Sequence, residues 1–170
     1  MALVLDGGGT ITGLTVGGLP DATIQQADLA PNVAGNGPAF SAYQSVAQSL
    51  TLNVWTKLQF QTKEFDTNGN FDNTTNYRFT PTVAGYYQVS GCFFISQSST
   101  ANYIGIYKNG SSFKRGLDLY ANSAGSQVSA LIYMNGTTDY IEIYGMTGFS
   151  QTTSAAAYVT YFQAVMVRAA

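Results

Sequence analysis

The chain of 170 residues contains no histidine, and Cys92 is its single cysteine. A Ser-His-Asp triad therefore cannot form, an intramolecular disulfide is impossible, and a zinc site built from cysteine and histidine lacks ligands. The N-terminal residues have no basic segment followed by a long apolar run, so no secretory leader is expected. These absences exclude the commonest nucleophilic and zinc chemistries.

Charged residues are also scarce. Asp, Glu, Lys and Arg make up 9% of the sequence, against about 25% in an average soluble domain, and the net charge is −2. No nucleic-acid partner is expected, because phosphate backbones are bound by clustered lysine and arginine, and here the basic residues are scattered. Membrane insertion is not expected either, since Gly, Ser, Thr and Gln interrupt the uncharged stretch 143–167.

Aromatic residues are absent from residues 1–38, whereas residues 39–170 contain all 10 Phe, all 12 Tyr and the single Trp. Because aromatic side chains dominate core burial, the sequence predicts a globular head over 39–170 and an extended arm over 1–38. The arm is expected to serve attachment or trimerisation. The apolar residues expected to carry attachment are Leu3, Leu5, Ile11, Leu14, Leu19, Ile24 and Leu29.

The head carries strand signals throughout, and about eight to ten strands are expected at the turn spacing of a sandwich or barrel. Two alternating segments lead into Asn109-Gly110 and Asn135-Gly136. Asn-Gly between alternating apolar runs is the strongest short-range hairpin signal, because both residues tolerate positive φ. A third pair, Asn68-Gly69, has the same interpretation. The fold class is therefore all-β.

Phe79, Pro81, Gly85 and Tyr87 follow the order of a signature of the globular head of complement component 1q, which is related to tumour necrosis factor. Four further patches resemble the opening strand, two hairpins and the closing strand of that family: residues 39–43, 106–110, 133–143 and 161–166. The sequence departs from the family pattern where Ala164 replaces a glycine. The resemblance implies a jelly-roll sandwich of about ten antiparallel strands that assembles as a homotrimer.

In such trimers the closing strand and its neighbours face the three-fold axis. The last strand is expected over 158–168, and both of its faces are apolar enough to be buried. One face suffices for a sandwich core, so the other needs a neighbouring subunit, a loop or the arm as its cover. The residues expected at the trimer interface are Phe40, Tyr43, Tyr158, Phe162 and Met166.

The arm has a resemblance of its own. Segments 1–7 and 19–30 are similar to the N-terminal parts of bacteriophage fibre and appendage proteins, in which short Ile- and Leu-punctuated repeats join three chains or attach them to the particle. A disordered linker is the alternative for such polar sequence.

Together the arm and head imply a non-enzymatic virion structural protein, either a short tail fibre or a capsid decoration protein. Its partners would be its own copies, other capsid or tail proteins, and a glycan or protein on the host surface. A secreted complement-type binding module is one alternative. A carbohydrate-cleaving virion enzyme is another, because carboxylates that could form a catalytic pair are present.

One oxygen-rich segment matches the alternate spacing that calcium loops use. Its residues are Asp66, Asn68, Asn70 and Asp72. The segment lacks the glycine and the terminal acidic residue of an EF-hand-like loop, so an Asn-Gly hairpin loop is favoured and calcium is the alternative. No other cofactor is expected.

Overall fold

The computed structural model describes residues 36–96, 101–120 and 123–170, and the regular structure in these ranges is entirely β. Within them, no helix has the length and apolarity needed to cross a membrane. The strands in the described ranges are β1 (Ala39–Tyr43), β2 (Ser49–Leu50), β3 (Thr56–Lys57), β4 (Thr62–Asp66), β5 (Phe71–Asp72), β6 (Arg78–Phe79), β7 (Gly85–Ile95), β8 (Ala101–Lys108), β9 (Ser111–Arg115), β10 (Leu119–Tyr120), β11 (Ala124–Met134), β12 (Ile141–Thr147), β13 (Gln151–Thr152) and β14 (Tyr161–Ala169).

The strands form two antiparallel sheets that enclose one apolar core. The first sheet has the order β11-β7-β14-β1-β4. The second has the order β10-β8-β12-β6-β5, with β9 paired to β8 and β3 paired to β12. The short strands β2 and β13 pair with each other. This confirms the expected all-β jelly-roll sandwich. The strand number exceeds ten because several strands are pieces of two residues.

An aromatic cluster fills the core between the sheets. The ring centroid of Phe40 lies 4.6 Å from those of Phe71 and Phe79 and 4.9 Å from that of Phe162, which meets it edge-on. Offset and edge-on contacts of this kind add about 0.5–1.5 kcal/mol per pair beyond area burial. These rings therefore set which face of β1 and of β14 turns inward.

The cluster corrects three of the predicted trimer-interface residues. Phe40, Phe162 and Met166 are at most 3% exposed in the single chain, so they fill the sandwich and their predicted place at an interface is wrong. The reason is the register, because Phe40 pairs with Ala164 and thus shares the inner face with its even-numbered neighbours on β14. Tyr158 lies in the turn before β14 and is 85% exposed, and Tyr43 is half-buried at the end of β1.

The described part of the predicted arm contacts the head. Pro38 is buried, and its carbonyl accepts a hydrogen bond of 3.0 Å from the N–H of Met166. The compact unit that contains the sandwich extends over Pro31–Ala170. The predicted attachment residues lie outside the described ranges: Leu3, Leu5, Ile11, Leu14, Leu19, Ile24 and Leu29.

One of the three Asn-Gly pairs closes a hairpin. Asn109 and Gly110 have φ values of 52° and 77° and join the paired strands β8 and β9. Asn68-Gly69 and Asn135-Gly136 instead connect one sheet to the other, so the hairpin prediction is wrong for both. Both glycines do adopt positive φ. Asn-Gly therefore predicts the local turn correctly, whereas burial across the whole sheet decides which strands pair.

Candidate functional site

The outer face of the first sheet is formed by the side chains that alternate with core residues on its long strands. On β14, Phe162, Ala164 and Met166 point into the core, whereas Val165 and Val167 point outward and are 46% and 44% exposed. A register shift between Met166 and Arg168 ends the regular alternation. The exposed valines therefore occupy the middle and one end of this face.

Cross-strand pairing arranges the outer face of the first sheet in rows. Two adjacent rows are Leu131–Gln88–Val165–Ala39 and Ser129–Ser90–Gln163–Ser41. The rows are tied together where Gln88 Nε2 donates to Ser129 Oγ at 2.7 Å. A row that is apolar except for Gln88 thus lies beside a row of small polar and amide side chains.

Four of the five strands of this face carry almost no charge and yet expose large apolar side chains. Arg168 is the single charged residue on β1, β7, β11 and β14. The edge strand β4 carries Lys63, Glu64 and Asp66, and Glu64 accepts a hydrogen bond of 2.6 Å from the Ser41 hydroxyl. Leu131 is 56% exposed and Tyr133 is 45% exposed, and the Tyr133 ring packs against Tyr86 at 5.5 Å between centroids. Large contiguous apolar patches are uncommon on monomeric proteins and mark interaction surfaces.

Two grooves cross the outer face of the first sheet. One encloses about 300 Å³ beside Phe65, Gln163 and Val165. The other encloses about 570 Å³ beside Leu131 and Val167, at the end where Arg168 lies. Grooves of this size accept side chains from another protein surface. The same face therefore combines exposed apolar side chains with cavities into which a partner can insert.

Cys92 lies on this face, paired across the strands with Tyr161, and its side chain is half-buried. Burial raises the pKa of the Cys92 thiol, so the reactive thiolate is disfavoured. Burial, and then the neighbouring Cys92, raise the pKa of Tyr161. Both groups are therefore neutral at physiological pH and fit an uncharged surface.

The predicted calcium segment makes turns in this structure. Asp66 accepts hydrogen bonds from the N–H groups of Asn70 and Phe71 at 3.0 and 3.1 Å. Asp72 accepts them from the next turn, and the N–H groups of Thr75 and then Thr74 hold its carboxyl pKa well below the usual range. Asn70 is buried, and Asn68 accepts a hydrogen bond from the adjacent threonine hydroxyl.

The two carboxylates therefore cap two separate turns. In residues 36–96, 101–120 and 123–170, no group of three or more acidic, cysteine or histidine side chains is arranged to hold a metal ion. Calcium binding by Asp66, Asn68, Asn70 and Asp72 stays a prediction.

The outer face of the second sheet carries a cluster that the sequence did not predict. We call it the aromatic platform, and it consists of Trp55, Tyr103, Tyr107 and Tyr144. The rings of Tyr107 and Tyr144 stack with centroids 3.9 Å apart, and the Trp55 ring lies 6.1 Å from that of Tyr107 and 6.4 Å from that of Tyr103. Gly105 lies between the two β8 tyrosines, where a Cβ would be 3.6 Å from the Trp55 ring.

Charged groups surround the aromatic platform in pairs. The Arg115 guanidinium lies 4.7 Å above the ring centroid of Tyr103 and forms an ion pair of 2.9 Å with Asp118. Lys57 forms an ion pair of 3.1 Å with Glu142 beside the platform. Burial, and then the Glu142 carboxylate, raise the pKa of Tyr144. The platform is therefore aromatic and rich in hydroxyl groups, and its nearby charges are balanced.

Comparisons with known proteins identify the fold. No protein-family model and no curated protein sequence matches the chain. Murine APRIL is similar in structure, with a TM-score of 0.60 and 9% identity over 76% of this chain and 98% of that one. The globular domain of the zebrafish complement 1qA protein has a TM-score of 0.60 and 16% identity, over 78% of this chain and 98% of that one. The PRD1 vertex protein P5 has a TM-score of 0.59 and 15% identity, over 77% of this chain and 97% of that one.

These likenesses define the class of the head. At such low identity they establish the fold alone, which is the jelly roll shared by complement-1q-like and tumour-necrosis-factor-like proteins. The family resemblance in the sequence predicted this fold.

Proposed function

We propose that the chain is a non-enzymatic virion structural protein whose head assembles as a homotrimer through the outer face of the first sheet. The observation that carries this proposal is the sparsely charged part of the face on β7, β11 and β14, with half-exposed Leu131, Val165 and Val167 and two grooves beside them. Apolar surface removed from water contributes roughly 25 cal/mol per Å², so copies that cover this face are stabilised.

The virion role rests on two similarities. The PRD1 vertex protein P5, a particle component by its name, has the same fold over 97% of its length. The arm over 1–38 resembles the attachment segments of phage fibre and appendage proteins. The arm would bind capsid or tail proteins, and the head would be displayed at the particle surface as a receptor-binding knob or a decoration protein.

A double substitution on the proposed interface tests self-association. The variant Val165→Lys with Leu131→Lys places two lysines in one row of the outer face, and burying unpaired charge costs several kcal/mol per ion. We expect the wild-type head to have the mass of three copies by size-exclusion chromatography with light scattering. The double variant is expected to have the mass of one copy and an unchanged circular dichroism spectrum.

Leu117→Lys is the matched control, because Leu117 is 77% exposed and lies outside the first sheet, between β9 and β10. It should leave the mass at three copies. A monomeric wild-type head would overturn the trimer, and a stable dimer would replace it with a two-fold assembly. A double variant that keeps the wild-type mass would show that another surface is used.

Deletion of residues 1–30 tests attachment and keeps the compact unit Pro31–Ala170. We expect the shortened protein to retain the mass of the wild-type assembly but to be lost from purified particles, as measured by immunoblotting of the particles. Electron microscopy of wild-type particles, labelled with an antibody against the head, should place it on the capsid or the tail. Normal incorporation of the shortened protein would contradict attachment through the arm.

A further inference from the structure

The aromatic platform is not needed to form the core, because the residues that alternate with it already do so. On β8, Ile104 and Ile106 are fully buried, whereas Tyr103 and Tyr107 point to the opposite side. On β12, Tyr144 likewise alternates with buried isoleucines. Residues on the solvent side of an antiparallel sheet are ordinarily polar, so a convergence of four aromatic rings there indicates a contact surface.

Strand register and a glycine bring the rings of the aromatic platform together. Register places Tyr144 opposite Gly105, and Gly105 opposite Arg115. Because Gly105 has no side chain, the Trp55 indole from the segment before β3 can approach β8 between Tyr103 and Tyr107. The rings therefore come from three separate segments, and all four residues are half-buried. The Arg115 guanidinium lies over the rings of Tyr103 and Trp55, at 4.7 and 5.8 Å from their centroids.

This surface matches the chemistry of a sugar ring. A pyranose has an apolar face of C–H groups and a polar edge of hydroxyl groups. Tyrosine and tryptophan combine a broad apolar face with a hydrogen-bonding group at the edge, and a binding site pairs such surfaces with a few polar groups that fix orientation. Arg115 and Lys57, which are about half and one-third exposed in their side chains, supply donors at two sides of the platform.

We propose that the aromatic platform binds a neutral saccharide chain. Charge complementarity favours the neutral class, because the two cations that flank the rings already have anionic partners: Lys57 pairs with Glu142 and Arg115 with Asp118. An acidic saccharide would have to compete with both carboxylates. The proposal does not depend on self-association, since the platform lies on the opposite sheet from the proposed trimer interface.

Trp55 is the single tryptophan of the chain, so its fluorescence reports directly on the platform. The full-length protein would be titrated with neutral oligosaccharides of glucose, galactose, mannose and N-acetylglucosamine, up to millimolar concentrations. We expect a saturable change in Trp55 emission and reduced acrylamide quenching with at least one of them. Retention on the same immobilised saccharide provides a second measurement that does not depend on fluorescence.

Removing a single ring should weaken binding without unfolding the head. Tyr107→Ala and Tyr103→Ala are each expected to lower the affinity roughly two- to tenfold, which corresponds to the loss of one stacked aromatic contact. Tyr158→Ala is the matched control, because Tyr158 is 85% exposed in the turn before β14 and away from the platform. It should bind as the wild type does. Thermal unfolding of each variant separates loss of binding from loss of fold.

Four results would overturn the proposal. The first is that no neutral oligosaccharide changes Trp55 emission or is retained. The second is a response to sialylated or uronic acid oligosaccharides alone, which would assign an acidic ligand. The third is a response only to a tryptic digest of casein, which would indicate a peptide-binding surface. The fourth is unchanged saccharide affinity in folded Tyr103→Ala and Tyr107→Ala.

Discussion

Replacing Phe162 with alanine is expected to lower the free energy of unfolding by about 3–5 kcal/mol, a large part of the stability of a domain of this size. The Phe162 side chain is fully buried and contacts the rings of Phe40, Phe60 and Phe71, with centroids 4.9 to 5.6 Å away. Its removal leaves a cavity in the aromatic cluster that rigid neighbouring rings cannot fill. Urea denaturation followed by circular dichroism measures the loss.

Val165→Ala is the matched control for Phe162→Ala, because Val165 is on the same strand but on the opposite face and 46% exposed. In the isolated head Val165→Ala should lower the free energy of unfolding much less than Phe162→Ala does, since little buried volume is removed. If Phe162→Ala instead preserved the unfolding midpoint and only dissociated the assembly, the sequence-based placement of Phe162 at an interface would be right and the core assignment wrong.

Replacing Gly136 with alanine is expected to destabilise the head by about 2–5 kcal/mol. Gly136 has a φ of 72°, where an L-residue costs about 1–2 kcal/mol. A Cβ at this position would also meet the backbone of Val83 at 2.6 Å and that of Ala84 more closely still. Overpacking of this kind costs a further 1–3 kcal/mol or so. The shift of the urea midpoint measures the effect.

Gly69→Ala separates the two contributions. Gly69 has a similar φ of 65°, but a Cβ there would meet no atom within 4 Å. We expect Gly69→Ala to lower the free energy of unfolding only by the cost of the left-handed backbone conformation, about 1–2 kcal/mol. Equal losses for the two substitutions would show that the close approach of the 83–84 backbone to Gly136 adds nothing to the destabilisation.

The sequence predicted the architecture well because alternation and turn residues report local backbone states. The same signals do not report which strands pair. Asn135-Gly136 forms the expected turn. However, Asn135 Oδ1 accepts hydrogen bonds from the successive N–H groups of Thr137, Thr138 and Asp139. The chain then crosses to the other sheet. The Asp139 carboxyl is bound by Asn109, Lys108 and the N–H of Asn135, and these bonds lower its pKa although burial alone would raise it.

The candidate surfaces were harder to predict because they depend on contacts between distant segments. Both faces of β14 are apolar, so alternation alone does not identify the core face, and the choice follows from the register of Phe40 with Ala164. The aromatic platform left a partial signal, since Tyr103 and Tyr107 alternate with buried isoleucines. The packing of the Trp55 ring over Gly105 is a tertiary contact that no local sequence pattern encodes.

The pairing of β1 with β14 constrains the order of events during synthesis. Ala39 lies opposite Val165, and β14 occupies the centre of the first sheet between β7 and β1. The strand next to the arm therefore stays without its central neighbour until the ribosome has made β14. Because such long-range pairing is slow to form, the edge of β1 that β14 will cover is exposed to other chains on the same polysome before the head closes.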